Sequence, residues 1–252
     1  MQYLRAYTRL LLLVISTPLI FLLFLPSLAL KILGLNNDLW RNSVLTIWGK
    51  VSSAIIGLKV NVNGTKPDTP FILVSNHLSY TDVFVLLSTV NGILVAKNEV
   101  RSWPFIGWMM DVIGIIFIDR SSISDVKRVN EQIERNLRPN QGIIFFPEAT
   151  TSDGESILPF KAGLLAYPSA HRYPVDFASI HYKSADPNKP EKEFIHWWGD
   201  MTFFTHLIQL LGMQKFQATV TFGESQVIES DRKKLASELH TRVRDQYLEV
   251  KD

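Results

Sequence analysis

A run of 21 residues without a charged side chain, at positions 10–30, constrains this chain more than any other feature. As a helix the run would be about 31 Å long, which matches the hydrocarbon core of a bilayer. Pro18 and Pro26 interrupt it, so the sequence does not require one straight span. We therefore expect an N-terminal segment that associates with a membrane.

A second apolar helix is predicted at positions 39–57. It suits a helix that lies at the membrane interface or packs on the first one. Residues 1–60 are therefore interpreted as a pair of membrane-anchoring helices, and residues 61–252 as a separate globular domain. The apolar side chains of the second helix recur at helical spacing; they are Trp40, Val44, Trp48, Val51 and Ile55.

Basic residues flank the apolar run on both sides, Arg5 and Arg9 before it and Lys31 and Arg41 after it. This symmetry gives no clear orientation and favours a re-entrant pair with both ends on the cytoplasmic face. Residues 1–60 hold six basic residues and one acidic residue, and anionic lipids attract each such cation by about 1 kcal/mol. The rest of the chain has no basic excess, so we expect membrane lipids as partners and no nucleic acid.

Two other interpretations of the apolar run stay open. A signal peptide would use Arg5 and Arg9 as its basic region and residues 27–29 as a small-x-small cleavage site. Against it, the apolar stretch continues through Ile32 and Leu33. The other alternative is a buried core helix. The chain contains no cysteine, which excludes disulfides, thiolate zinc sites and cysteine nucleophiles.

After residue 64, short apolar runs alternate with helical stretches. Such alternation predicts an α/β fold with a mostly parallel central sheet flanked by helices, and active sites in these sheets lie at the carboxyl ends of the strands. The predicted strands are residues 71–75, 93–96, 113–118, 143–146, 175–181 and 217–222. The predicted helices are residues 124–137, 164–171, 203–211 and 232–250, the last of them a polar surface helix.

His77 and Asp82 follow directly on the first of these strands. A tight turn can bring the carboxylate onto the imidazole, fix its tautomer and make the other ring nitrogen a general base for an alcohol. This spacing alone is a weak signal, because a histidine at a strand end is more often structural.

Three later blocks add polar groups at further strand ends. Residues 114–120 end in Arg120, whose forked donors suit a phosphate. Residues 145–152 supply Glu148 and the hydroxyls of Thr150 and Thr151. Residues 158–163 add the cation of Lys161. Arg120 could instead form a structural ion pair, and Glu148 could instead cap its loop.

Together these blocks resemble the 1-acylglycerol-3-phosphate acyltransferases, a glycerolipid acyltransferase family, over about residues 70–182. The family pattern Asn-His-x4-Asp is matched by Asn76, His77 and Asp82. Residues 114–120 match its Gly-x-Ile-Phe-Ile-Asp-Arg block. Lys97, Pro104 and Gly107 match its Lys and Pro-x-x-Gly, and Pro174 and Val175 match its last pair.

The resemblance implies an enzyme that transfers a fatty acyl group from acyl-CoA or acyl-carrier protein to the hydroxyl of a lysolipid. It implies no cofactor and no metal, and a catalytic domain, residues 61–252, on the cytoplasmic face of the inner membrane. His77 would be the base and Asp82 its orienting partner. The candidate substrate-binding residues are Asn76, Lys97, Arg120, Glu148, Thr150, Thr151 and Lys161.

One block departs from the family pattern, because Ala149 replaces a glycine and Thr151 replaces an arginine. Without the glycine we expect ordinary backbone dihedral angles at position 149. The Thr-Thr-Ser-Asp-Gly form resembles the branch that acylates lyso-ornithine lipid, an acceptor without phosphate. Arg120 and Lys161 could still hold a phosphate, so we expect 1-acylglycerol-3-phosphate as the acceptor and lyso-ornithine lipid as the alternative.

Rival functions find less support. A lipase would need a Gly-x-Ser-x-Gly elbow and a zinc hydrolase a His-Glu-x-x-His pattern, and the sequence has neither. The non-enzyme alternative is a lipid-binding membrane protein on the same scaffold. Aromatic residues at 197–198 and 203–204 could line an acyl channel, although packing in the core is the more common role of such residues.

Overall fold

The computed structural model describes residues 1–103, 106–119 and 121–251. It begins with three helices, α1 (Gln2–Leu22), α2 (Leu25–Ile32) and α3 (Asp38–Ile56). Residues Gln2–Leu30 form the one stretch in these ranges that is long and apolar enough to cross a membrane, and most of it is not buried. Pro18 lies inside α1, and Pro26 lies in the first turn of α2, where a missing N–H is tolerated.

Helix α3 packs into the body of the protein as well as against α1. Its partner is α4 (Asp82–Thr89), and the two backbones approach closely at Gly49. A Cβ atom at Gly49 would lie 2.8 Å from the backbone nitrogen of Ser88. Near the start of α3, the buried Asp38 carboxylate pairs with Arg41 at 2.8 Å and with Arg138 at 3.0 Å. The second predicted N-terminal helix is therefore part of the core.

The centre of the molecule is a seven-stranded sheet, counted over the described residues, with the order β1-β7-β6-β2-β5-β3-β4. All neighbouring strands are parallel except β6 and β7. The prediction of a mostly parallel α/β sheet is thus confirmed. The strands are β1 (Leu58–Asn63), β2 (Ile72–Ser75), β3 (Gly92–Lys97), β4 (Ile116–Ile118), β5 (Gly142–Phe145), β6 (Val175–Ser184) and β7 (Phe216–Phe222).

Helices cover the sheet. The ones after α4 are α5 (Ile106–Ile113), α6 (Ile123–Asn136), α7 (Ala166–Ala170), α8 (Glu191–Phe194), α9 (Phe203–Leu211) and α10 (Arg232–Lys251). The polar helix predicted at 232–250 is amphipathic in the structure, because five of its apolar side chains are buried where it packs near β6. These are Leu235, Ala236, Leu239, Val243 and Tyr247.

Strand β6 extends three residues beyond the predicted 175–181, to Ser184, and two other strands differ more from the prediction. The strand expected at 113–118 covers only Ile116–Ile118, since Ile113 ends α5 and Gly114 turns the chain with a φ of +88°. Strand β1 was not predicted at all. Its alternation of Lys59, Val60, Asn61 and Val62 pairs in parallel with β7 at the edge of the sheet.

Candidate active site

The candidate site forms where the carboxyl ends of β2 and β5 meet. The two strands are parallel neighbours, with Val74 opposite Phe145. The next residues of each strand therefore enter the same edge of the sheet. There the imidazole of His77 stacks on the ring of Phe146, with the centroids 4.0 Å apart and the planes 9° from parallel.

His77 and Asp82 are joined as the sequence predicted. The Nδ1 atom of His77 lies 2.7 Å from the Oδ2 atom of Asp82. The same Oδ2 accepts hydrogen bonds from the backbone N–H groups of Leu78 at 2.8 Å and Ser79 at 3.1 Å. Asp82 is fully buried in the first turn of α4, whereas the side chain of His77 is 18% exposed. A carboxylate held in this way fixes the tautomer of the ring and leaves Nε2 as the nitrogen that can meet a substrate.

The second oxygen of this carboxylate is bound by a residue that the sequence did not single out. The hydroxyl of Tyr182 donates to Oδ1 of Asp82 at 2.7 Å, and it lies 2.8 Å from the Thr81 hydroxyl. Tyr182 is on β6, 100 positions after Asp82, and it is buried. A continuation of the strand predicted at 175–181 by one residue would have indicated a buried tyrosine, although not its partner.

Glu148 supports the backbone of the site. Its Oε1 accepts the N–H of His77 at 2.7 Å, and its Oε2 accepts the N–H of Leu158 at 2.8 Å. The side chain is only 2% exposed. Burial raises the pKa of Glu148 to about 8, against the lowering effect of these two bonds. Both oxygens are thus used within the protein, so the geometry favours the loop-holding role over contact with a substrate.

Asn76 also differs from its predicted role. Its side-chain nitrogen donates to the carbonyl oxygen of Ile180 at 2.9 Å, and its oxygen accepts the N–H of Ile180 at 2.7 Å. The residue is fully buried. Because both ends of the amide bind the backbone of β6, Asn76 ties β2 to β6 and does not face a substrate.

The loop after β5 carries the variant block. The N–H of Ser152 donates to the carbonyl oxygen of His77 at 3.0 Å, which holds this loop against the turn that carries the histidine. Thr150 is exposed and Thr151 is half-buried. The expectation for position 149 was wrong, because Ala149 has a φ of +64°, in the left-handed region that favours glycine.

Two of the predicted cations, Lys97 and Lys161, lie at or near the same edge of the sheet. Lys97 ends β3, is exposed, and pairs with Glu99 at 2.7 Å. Lys161 is exposed, and its N–H donates to the carbonyl oxygen of Pro147. Arg120 lies outside the described residues, as does Pro104 of the resemblance. Within the described ranges, no group of three or more His, Asp and Glu side chains is arranged to hold a metal ion.

An aromatic cluster adjoins the His77 turn. Tyr80 lies 5.2 Å from Phe203 and 6.0 Å from Trp197, measured between ring centroids, and its hydroxyl is 3.1 Å from Nδ1 of His206. The N–H of Trp197 donates to the carbonyl oxygen of Leu78. Two of the four aromatic residues predicted here, at 197 and 203, therefore pack on Tyr80 in the turn that follows His77, while Phe204 is 77% exposed.

This arrangement supplies a histidine base backed by a buried carboxylate, beside apolar surface. The histidine can take a proton from the hydroxyl group of a molecule that also has an apolar chain.

Known proteins are similar to this chain in sequence. The profile of the Acyltransferase family matches residues 59–176. The lyso-ornithine lipid O-acyltransferase of Rhodobacter capsulatus is 31% identical over 212 residues, which cover 81% of this chain and 76% of that protein. The 1-acyl-sn-glycerol-3-phosphate acyltransferase of Neisseria gonorrhoeae is 35% identical over 126 residues, 49% of each chain.

A solved structure shares the fold. The crystal structure of the 1-acyl-sn-glycerophosphate acyltransferase of Thermotoga maritima superposes with a TM-score of 0.71. The match covers 100% of this chain and 98% of that one, at 21% identity.

Proposed function

Since this chain belongs to the acyltransferase family that includes lyso-ornithine lipid and 1-acyl-sn-glycerol-3-phosphate acyltransferases, we propose that His77 is the base of an O-acyl transfer to a lysolipid. The sequence-based prediction of an O-acyltransferase of lipid biosynthesis is confirmed by these relatives. The roles of His77 and Asp82, the acyl donor and the lysolipid acceptor are part of this proposal. The single observation that supports the role of His77 is its 2.7 Å contact with the buried Asp82.

The proposed reaction needs no covalent intermediate on the enzyme. Nε2 of His77 takes the proton of the acceptor hydroxyl, and the oxygen attacks the carbonyl carbon of the acyl thioester. A C–O bond forms, the C–S bond breaks, and His77 returns the proton to the leaving thiolate. Asp82 stabilises the imidazolium between these steps. The donor is acyl-CoA or acyl-carrier protein, which act as co-substrates, and we propose no cofactor and no metal.

Lyso-ornithine lipid is our preferred acceptor. Thr151 has no charge where the family arginine would stand, which removes one cation from the acceptor site. Charges of both signs remain at this edge of the sheet. Lys97, at the end of β3, lies opposite Ile118 of β4, so Asp119 follows at the same edge. Lys97 also forms an ion pair with Glu99. An ornithine head group carries an amine and a carboxylate, and a site with both signs suits it better than it suits a phosphate.

A second candidate acceptor is 1-acylglycerol-3-phosphate. Arg120 ends an intact family block, and Lys161 supplies another cation. The relative from Neisseria gonorrhoeae, which carries that acceptor in its name, is 35% identical over the half of the chain that it matches.

A donor–acceptor matrix separates the two. The purified full-length chain is incubated with lyso-ornithine lipid, 1-acylglycerol-3-phosphate or glycerol-3-phosphate, each with acyl-CoA or acyl-carrier protein, and thiol release is measured. We expect kcat/KM for lyso-ornithine lipid to exceed the other values by at least about ten-fold, a difference of roughly 1.4 kcal/mol. Exclusive use of 1-acylglycerol-3-phosphate would contradict the preference. Thr151→Arg should raise turnover of the phosphate acceptor, and Thr151→Gln, of similar length but neutral, should not.

The role of His77 has its own test. His77→Ala should lower kcat by about 10²–10⁴-fold, the usual contribution of a general base, without loss of membrane binding. The melting temperature and vesicle binding of the variant serve as controls. Near-normal turnover by a folded His77→Ala protein would refute the mechanism.

We further propose that the protein lies on the cytoplasmic membrane with its catalytic domain in the cytoplasm, where acyl thioesters are made. One face of α1 supports the membrane contact, since Leu11, Ile15 and Leu19 follow each other at four-residue spacing and are 50–59% exposed. Burial of one such side chain in the bilayer contributes roughly 1.5–3 kcal/mol to the free energy of membrane binding.

Vesicle flotation tests this surface. Replacement of Ile15 and Leu19 by arginine should weaken binding to anionic vesicles by more than about ten-fold. The same two arginines placed at Ser237 and Leu248, on α10, are the matched control and should bind normally. Equal binding by both double variants would show that α1 does not contact the bilayer.

A further inference from the structure

We propose that Tyr182 is a positioning residue for acyl transfer, whose hydroxyl holds the Asp82 carboxylate in the orientation that His77 requires. This inference rests on the role proposed above for His77. It adds a third residue, on a different element, to the pair that the sequence motif contains.

The contacts of the two carboxylate oxygens are unequal. Oδ2 of Asp82 has three partners, which are Nδ1 of His77 and the N–H groups of Leu78 and Ser79. Oδ1 is bound by the hydroxyl of Tyr182 at 2.7 Å. Asp82 has no exposed surface, so bulk water cannot replace this contact. Without the phenol, the carboxylate would keep its hold on one oxygen and could tilt about it.

The direction of the hydrogen bonds follows from chemistry. Burial raises the pKa of Tyr182 well above its usual value, so the phenol keeps its proton. A carboxylate only accepts hydrogen bonds, so the phenol donates its one proton to Oδ1 of Asp82. The Thr81 hydroxyl, 2.8 Å from the phenol oxygen, must then be the donor in that contact. The order is Thr81 to Tyr182 to Asp82, and each hydroxyl has one acceptor.

The hydrogen-bonded series of Thr81, Tyr182 and Asp82 is attached to the central sheet through Tyr182. Tyr182 lies in the ten-residue strand β6, where it pairs with Ala218 of β7. Asp82 and Thr81 belong to the start of α4. The phenol thus fixes the orientation of the helix-borne carboxylate relative to the central sheet, which also carries His77 at the end of β2.

The phenol also disperses the negative charge of Asp82. Its removal would leave a more concentrated charge beside His77, which would hold the imidazolium more strongly. The acid limb of the kcat/KM profile would then move to higher pH. The other titratable groups near Asp82 or Tyr182 come from the His77 turn, from the loop after β5, from the segment after α8, and from α10; they are Tyr80, Glu148, His196 and Tyr247.

The test compares substitutions in the full-length protein, with His77→Ala measured in parallel. Tyr182→Phe should lower kcat by about ten-fold, with KM for both substrates unchanged and the acid limb shifted upward, since a hydrogen bond to a charged group is lost. Thr81→Val should lower kcat by about three-fold, and Thr81→Ser, which keeps the hydroxyl, should restore it. Tyr173→Phe removes a phenol hydroxyl that donates to the carbonyl oxygen of Pro70 and should match the wild type.

Two results would overturn the proposal. One is a Tyr182→Phe enzyme with wild-type kcat and an unchanged acid limb. The other is a reduced kcat with an unmoved acid limb, which would indicate a structural role only. If Tyr182→Phe does not fold, as judged by its melting temperature, the pair Thr81→Val and Thr81→Ser decides: equal kcat values would refute the proposal. Activity in His77→Ala would instead refute the proposed base, so the two failures are distinct.

Discussion

At position 149 the backbone has a φ of +64° on a residue with a Cβ atom. An L-residue in this left-handed region is strained by about 1–2 kcal/mol, and glycine avoids the strain at some entropic cost. Ala149→Gly should therefore raise the stability by about 1 kcal/mol, which corresponds to an increase in melting temperature of about 2–4 °C for a chain of this size. Thermal unfolding in detergent measures it, and Ala162→Gly, at a position of ordinary φ, is the control. A lower melting temperature for Ala149→Gly would contradict the strain.

The contact between His77 and Asp82 could be predicted from sequence because a five-residue spacing at a strand end is a local property. His77 and Asp82 meet through a single turn, and the motif contains both. Tyr182 could not be predicted, since its contact with Asp82 depends on the register of β6 and spans 100 positions. The burial of Asn76 and Glu148 was also hidden, because polar residues in a family motif can serve the backbone as well as a substrate.

Among the elements, α9 carries a buried histidine. Burial lowers the pKa of His206 to about 4, and its Nδ1 lies 3.1 Å from the Tyr80 hydroxyl. Burial also raises the pKa of Tyr80, so the phenol donates and the imidazole is neutral. As the pH falls below about 6.5 the unfolded chain takes up a proton that the folded chain resists until pH 4, so stability is lost in that window.

The size of this loss can be measured. Between pH 7 and pH 5 the wild type should lose about 2 kcal/mol through His206. His206→Asn keeps an acceptor for Tyr80 but cannot titrate, so its free energy of unfolding should fall by about 2 kcal/mol less over the same range. Urea unfolding at both pH values provides the comparison, with His171→Asn, at an exposed position, as the control. Parallel losses in wild type and His206→Asn would exclude this explanation.

The elements that could be predicted were the ones with one clear signal in the sequence. For strands β2, β3 and β5 the signal is a short, continuous apolar run. For α6 it is a serine near the start of the helix, and in the structure the Ser122 hydroxyl accepts the N–H of Asp125. The apolar run at 113–118 was ambiguous, because one part completes α5 and the other forms β4. Strand β1 was missed since its polar residues alternate at the edge of the sheet, directly after α3.

On the scale of the whole molecule, α3 links the N-terminal helices to the sheet. A division at residue 60 would separate it from α4, with which it packs, and would expose Val44, Leu45 and Ile56, all nearly fully buried. These three alone correspond to roughly 5–9 kcal/mol, comparable with the total stability of about 5–15 kcal/mol of most proteins.

Truncation tests this link. A chain that begins at residue 58 should show no cooperative thermal transition, because it lacks α3. A chain that begins at residue 36 keeps α3 and the Asp38–Arg138 pair, and it should unfold cooperatively at a reduced temperature. A cooperative transition in the shorter chain would show that residues 61–252 form an independent domain, as the division predicted from the sequence implies.

The exposed apolar face of α1 has a kinetic consequence for the membrane placement proposed above. An enzyme held against one leaflet would meet its acceptor by lateral diffusion within that leaflet. Its rate would then follow the mole fraction of acceptor among the surrounding lipids, and dilution with inert lipid at constant acceptor concentration would slow it. The water-soluble donor would reach the enzyme from the aqueous phase. The rate would therefore depend on the concentration of the donor in solution but on the mole fraction of the acceptor in the membrane.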